Sequence, residues 1–153
     1  MVTLIGMGSG SWETLSVQAQ DAVRRAGLVF GAKRLLAGLP PECTARQFAL
    51  YQPAEILETL AQAPGQDAAV LYSGDTGFYS GASGLLTPLR ALGIPARVYP
   101  GVSSIQLLAA ALGRPWQDWK LVSAHGCACD PVAECMTERS VFFLTGGAET
   151  PAT

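Results

Sequence analysis

Short apolar runs and amphipathic stripes alternate along the whole chain. The runs at residues 2–5, 28–30, 68–72, 96–99, 121–123 and 141–144 are brief and lack a polar alternation. That pattern predicts strands buried on both faces. Between them, Ala19, Ala22, Val23 and Ala26 recur at helical spacing, with Gln18, Asp21, Arg24 and Arg25 off the stripe. Ile56, Leu57, Leu60 and Ala63 make a second stripe, in a helix that Pro53 is suited to open from its first turn. Leu85, Leu86, Leu89 and Leu92 make a third, stopped by Gly93. Ile105, Leu108, Ala109 and Leu112 make a fourth, with Ser103 or Ser104 placed to cap its start and Gly113 and Pro115 to end it. Strands alternating with helices in this way predict an α/β fold, a mainly parallel sheet flanked by helices. Ligands of such sheets bind outside the carboxyl ends of the strands. The loops after each strand are therefore where a site is expected. Trp116-Gln-Asp-Trp119 follows Pro115 and reads as a hinge. It divides an expected first domain, residues 1–115, from a linker and opening strand of a second, residues 116–153. The stop at Thr153, where Glu149-Thr-Pro-Ala opens another helix, is expected to be a cut.

Composition narrows the classes. With 49% apolar and 14% charged residues among 153, the chain has room for a core and is not disordered. So lean a charge content predicts apolar surface covered by a partner or by further chain. Net charge is −2 and no basic stripe is visible, which argues against a nucleic-acid partner. No apolar run approaches the roughly 20 residues of a membrane span, and residues 1–5 lack the features of a signal peptide. A cytoplasmic protein is expected. In that setting Cys43, Cys127, Cys129 and Cys135 are not expected to form a disulfide framework.

Three loops are richer than turns require. Gly6-Met-Gly-Ser-Gly10 follows the first strand directly. A dinucleotide-binding turn would read G-x-G-x-x-G into a helix, with an acid about 20 residues on. Here the third glycine comes one residue early, the helix waits until about Thr14 or Ser16, and Phe30-Gly-Ala-Lys stands where the acid belongs. Ser73-Gly-Asp-Thr-Gly-Phe-Tyr-Ser-Gly81 carries three glycines and three aliphatic hydroxyl side chains after the third run. Asp75 is placed either to contact a ligand or to bond nearby backbone N–H groups, and Phe78 and Tyr79 either to floor a pocket or to pack inward. Tyr99-Pro-Gly-Val-Ser-Ser104 is the third loop, its serines suited to cap a helix and to face a ligand.

In this order and spacing, Gly6-x-Gly-Ser-Gly10, Ser73-Gly-Asp-Thr76 and Pro100-Gly-Val-Ser-Ser104 resemble the three signature loops of the tetrapyrrole methylases. The likeness covers essentially the whole chain. Phe30-Gly-Ala-Lys-Arg-Leu-Leu36, Ser73-Gly-Asp-Thr-Gly-Phe-Tyr and Ser123-Ala-His-Gly126 are most similar to the precorrin-6Y methylase subgroup, which acts at ring carbons five and fifteen. The family usually has Pro and Asp where Ser9 and Ser11 stand, and Pro where Thr76 stands, so two loops here are less constrained. The resemblance implies S-adenosylmethionine as cofactor, held in a cleft between two α/β domains. It implies Ser9, Ser73, Gly74, Asp75, Phe78, Ser103 and Ser104 as cofactor-loop residues. It also implies a precorrin-type tetrapyrrole as substrate, with Lys33, Arg34 and His125 as candidates for its carboxylates. A homodimer, or association with a second methylase or decarboxylase component, is expected on the same ground.

The implied reaction is methyl transfer to an enamine-like ring carbon in cobalamin biosynthesis. Such a carbon is already nucleophilic, so no Ser-His-Asp set or paired carboxylates are needed, and no side chain stands out as catalytic. Alignment of donor and acceptor alone supplies about 7–11 kcal/mol in such reactions. His125 with Cys127, Cys129 and Cys135 offers soft ligands, but C-x-C-x5-C is not a usual metal spacing, and no metal is expected. Two rival readings stay open: a non-catalytic methylase half that folds or dimerises, and a generic nucleotide-binding α/β domain.

Overall fold

The computed structural model describes residues 1–124, 129–136 and 139–145. The chain divides into two compact units, Met1–Ser104 and Ile105–Thr153.

In the first unit, β1 (Val2–Gly6), β2 (Leu28–Phe30), β3 (Arg46–Phe48), β4 (Ala68–Tyr72) and β5 (Ala96–Tyr99) form one sheet in the order β3-β2-β4-β1-β5. Every pairing is parallel. Val2 lies opposite both Ala68 and Ala96, and Leu28 opposite both Arg46 and Ala68. Burial follows position: the inner strands β1 and β2 are covered on both faces, as their unbroken apolar runs require. Strands β3 and β5 lie at the two edges and are partly exposed. Only the inner strands therefore meet the expectation of two-sided burial. The run Arg46-Gln-Phe48 has no apolar signature, which is why sequence pattern alone misses β3.

Each helix stripe settles on one face of this sheet. Four helices take part: α1 (Val17–Arg25), the short α2 (Lys33–Leu36), α3 (Pro53–Ala61) and α4 (Ala82–Ala91). Ala19 and Val23 of α1 and Leu35 of α2 pack with Ile5, Met7, Val29 and Leu71 on one face. Ile56 of α3 and Leu85 and Leu89 of α4 pack with Leu4, Phe30 and Val70 on the other. Ser16 caps α1 by accepting from the Ala19 N–H at 3.2 Å, so the first α-helix starts at Val17, well after the glycine loop. Pro53 stands in the first turn of α3. Gly93, at φ +68°, ends α4 in the left-handed conformation that favours glycine. Leu92 is 64% exposed, so the apolar stripe of α4 ends one turn before the pattern predicts.

The second unit contains α5 (Ser104–Leu112, entered from the last residue of the first unit), β6 (Lys120–Ser123), the short α6 (Pro131–Cys135) and β7 (Val141–Leu144). Strands β6 and β7 pair in parallel from Lys120–Val141 to Ser123–Leu144. Asp130 caps α6 through the N–H groups of Val132 and Ala133, and Lys120 pairs with Glu134 at 2.6 Å. Leu108 and Leu112 of α5 are 43% and 54% exposed, although the sequence pattern places both on a buried stripe. No described helix is long and apolar enough to cross a membrane.

Candidate functional site

The connections leaving β1 and β4 run in opposite directions across the sheet, one to β2 and the other to β5. Their loops therefore cross over the carboxyl ends of the three neighbouring strands β4, β1 and β5. This is the place where open parallel sheets take ligands.

Glycine allows the three loops to interlock. The Met7 N–H donates to the Tyr72 carbonyl at 2.7 Å. Gly8 and Gly74 then exchange both backbone hydrogen bonds, at 3.1 and 2.8 Å, in an isolated antiparallel bridge. A Cβ on Gly6 would stand 2.6 Å from the Gly101 nitrogen and 2.7 Å from the Gly74 oxygen. One on Gly101 would strike the Gly74 and Gly6 carbonyls. Loops one, two and three thus touch backbone to backbone, and side chains at either position would wedge them apart. The glycines of the first loop are not those of a plain turn.

Asp75 completes the lock. Its Oδ1 accepts from the Gly101 N–H at 3.0 Å and its Oδ2 from the Gly77 N–H at 3.1 Å. Of the two roles open to it in sequence, the backbone-bonding one is what the geometry displays. The Thr76 hydroxyl donates to the Tyr99 carbonyl at 3.4 Å, a second tie between loops two and three. Thr14 reaches back in the same way, donating to the Met7 and Ser11 carbonyls at 3.2 and 2.8 Å.

Around this locked centre the other predicted residues fall as follows. Ser9 and Ser73 are exposed, Gly74 is half-buried at φ +66°, and Ser103 is buried just ahead of α5, whose first residue is the exposed Ser104. Arg34 joins the first two loops: its Nη2 donates to Ser73 Oγ at 2.9 Å and its Nη1 to the Ser9 carbonyl at 3.4 Å. Lys33, its neighbour at the start of α2, is exposed. Phe78 is half-buried and packs edge-on against Tyr79, with ring centroids 4.9 Å apart. Tyr79 itself is 54% exposed and holds φ +48°, a left-handed conformation rarely adopted by an aromatic residue. Neither ring joins the two core clusters, so the inward-packing reading fails for Tyr79. His125 and Cys127 lie outside the described residues. Cys135 is exposed and in no disulfide.

Sequence reasoning missed Tyr72. It ends β4 immediately before Ser73, and its hydroxyl is buried with no hydrogen-bond partner among the described residues. Burial pushes its phenol up to about 12. An apolar run that closes on tyrosine was the available signal.

An open parallel sheet with glycine loops locked over its central carboxyl ends defines the class: an α/β fold of the kind whose ligands lie at the strand ends. The family model for Tetrapyrrole (Corrin/Porphyrin) Methylases matches residues 1–148. This chain belongs to that family, whose methyl donor is S-adenosylmethionine. It is 32% identical over 147 residues to a cobalt-precorrin-7 C(5)-methyltransferase of Salmonella typhimurium, covering 95% of this chain and 71% of that protein. It is 32% identical over 133 residues to a decarboxylating precorrin-6Y C(5,15)-methyltransferase of a Sinorhizobium species, covering 86% of this chain and 32% of that protein. Among solved structures, a uroporphyrin-III C-methyltransferase from Thermus thermophilus complexed with S-adenosyl homocysteine superposes with a TM-score of 0.62 at 25% identity. That likeness covers 80% of this chain and 54% of the other.

The residues at the loop cluster fit one wall of a site for such a cofactor. A Cβ on Gly74 would meet only the Ser103 Cα, at 3.7 Å, so the backbone there is open to close approach. The exposed Ser73 hydroxyl stands beside it.

Proposed function

We propose that this chain is the methyl-donor-binding part of an S-adenosylmethionine-dependent methyltransferase that methylates a carbon of a precorrin-6Y-type tetrapyrrole. The observation that carries the reading is the interlocking of the loops after β1, β4 and β5 through Gly6, Gly8, Gly74 and Gly101. It leaves a backbone-lined edge at the strand ends, with hydroxyls around it and the Asp75 carboxylate engaged by the Gly77 and Gly101 N–H groups. When bound, the cofactor supplies an electrophilic methyl group. What the protein then contributes is alignment and exclusion of water, and a fixed loop cluster supplies alignment. In this reading Ser9, Ser73, Gly74, Phe78, Ser103 and Ser104 face the cofactor, while Asp75 holds loops two and three in register. Lys33 and His125 serve the carboxylates of the substrate, and Arg34 a carboxylate of the substrate or of the methyl donor. Residues 1–115 act as the first domain, and residues 116–153 open the second. Association with a second copy or a decarboxylating component belongs to the same reading, and sedimentation of the purified chain tests it.

The relatives include methyltransferases named for C5, for C5 with C15 and for C11, so the ring position is part of the proposal. Titration of isotope-labelled protein with S-adenosylhomocysteine is the direct test of the site. Amide signals of Gly74, Asp75 and Ser103 are expected to shift, and NAD is expected to leave them in place. Shifts with NAD alone would favour a generic nucleotide-binding domain. Binding without turnover on a precorrin would favour the non-catalytic half.

A further inference from the structure

We infer that Arg34 and Ser73 form a paired hydrogen-bond donor that recognises a carboxylate at the mouth of the loop cluster. The inference rests on the function proposed above and specifies which chemical group the site grips. Arg34 is exposed and makes no ion pair with any described carboxylate. Its guanidinium spends Nη2 on Ser73 Oγ at 2.9 Å and Nη1 on the Ser9 carbonyl at 3.4 Å, both uncharged oxygens. It lies flat enough on loop one that a Cβ at Gly10 would come within 3.0 Å of Nη1. Both contacts use up donors without neutralising the charge.

The chemistry of Ser73 follows from that contact. A hydroxyl has one hydrogen to give and two lone pairs to receive with. Arg34 occupies a lone pair, so the Ser73 O–H is left to donate. A guanidinium has five N–H groups, so Arg34 keeps three beyond the two contacts described. The pair therefore presents an O–H and N–H donors side by side, with a positive charge behind them and two loops holding the geometry. A planar acceptor with two oxygens and a negative charge suits that arrangement. Two carboxylates in the proposed reaction meet the description: the amino-acid end of the methyl donor, and an acid side chain of the tetrapyrrole.

Calorimetry on the full 153-residue chain separates them. The probes are S-adenosylhomocysteine and 5′-methylthioadenosine, which lacks the amino-acid end, and cobyrinic acid and its full methyl ester. Arg34→Met is expected to weaken one of the two acids by about 10- to 100-fold, the usual cost of losing a charge-assisted hydrogen bond. Its carboxylate-free counterpart should bind as before. Ser73→Ala should weaken the same acid by a smaller factor, and Arg34→Lys should restore part of the loss. Loss confined to S-adenosylhomocysteine assigns the pair to the donor, and loss confined to cobyrinic acid assigns it to the substrate; either supports the inference. Unchanged binding of both acids by Arg34→Met overturns it. So does an equal loss for acids and carboxylate-free probes, which would make Arg34 a loop tie alone. A wild-type chain that binds none of the four would end the proposed function and the inference together.

Discussion

Replacing Gly6 by alanine is the sharpest test of the loop lock. The new Cβ would lie 2.6 Å from the Gly101 nitrogen, 2.7 Å from the Gly74 oxygen and 2.9 Å from the Gly101 Cα, where ordinary contact begins near 3.4 Å. The neighbours would have to retreat by roughly 0.5–0.8 Å, and none is the tip of a flexible side chain. Moving Gly101 also stretches the 3.0 Å bond that Asp75 accepts from it, and moving Gly74 strains its paired bonds to Gly8. Overpacking of a core typically costs about 1–3 kcal/mol, and a backbone-only contact belongs at the upper end. The expected loss is about 3 kcal/mol. With a urea dependence of about 1–3 kcal/mol per molar, the unfolding midpoint should fall by 1 M or more. Gly65→Ala is the control: unlike Gly6 it has a positive φ, +80°, and nothing lies within 4 Å of its Cβ. It should show only the conformational cost of about 1–2 kcal/mol. Gly6→Ala should also abolish the S-adenosylhomocysteine shifts at Gly74 and Ser103. Equal midpoints for the two variants, with cofactor shifts intact in both, would refute the idea that the loops are locked by close backbone contact.

Two further outcomes are expected. Asp75→Ala removes the acceptor for the Gly101 and Gly77 N–H groups, and should cost about 1.5–3 kcal/mol in thermal or urea unfolding while hastening hydrogen exchange at Gly101. Tyr72→Phe deletes a buried hydroxyl that has no described partner, so stability at neutral pH should hold or rise slightly. In the wild type, the Tyr72 phenol ionises at about 12 in the folded chain against an ordinary 10. Unfolded chains therefore release that proton first, and stability should fall as pH rises from about 10 to 12. Tyr72→Phe should flatten that slope, which phenolate absorbance alongside unfolding curves will measure; an unchanged slope would assign it to other groups.

Much of the architecture was legible because its signals are local. Continuous apolar runs mark strands, and β1, β2, β4 and β5 lie where those runs do, although the edge strand β5 is partly exposed. Stripes at helical spacing mark α1, α3, α4 and α5, while Pro53, Gly93 and Gly113 punctuate them. The order of the glycine loops was enough to identify the family. Strand β3 escaped because an edge strand with one partner needs no apolar run; Arg46 and Gln47 face solvent.

Within the site, the sequence determined which residue types were available, and the tertiary structure decided their partners. Nothing local says that Asp75 accepts from Gly101, 26 residues on, or that Arg34 reaches Ser73, 39 residues on. Those meetings exist because the order β4-β1-β5 sets three loops side by side, with β2 bringing α2 up to them. Strand order is a property of long-range pairing, settled by how the helix stripes share the two faces of the sheet. The glycines show the same division. Their freedom to turn is written in the residue type. The demand that Gly6 and Gly101 carry no side chain comes only from the backbones packed against them.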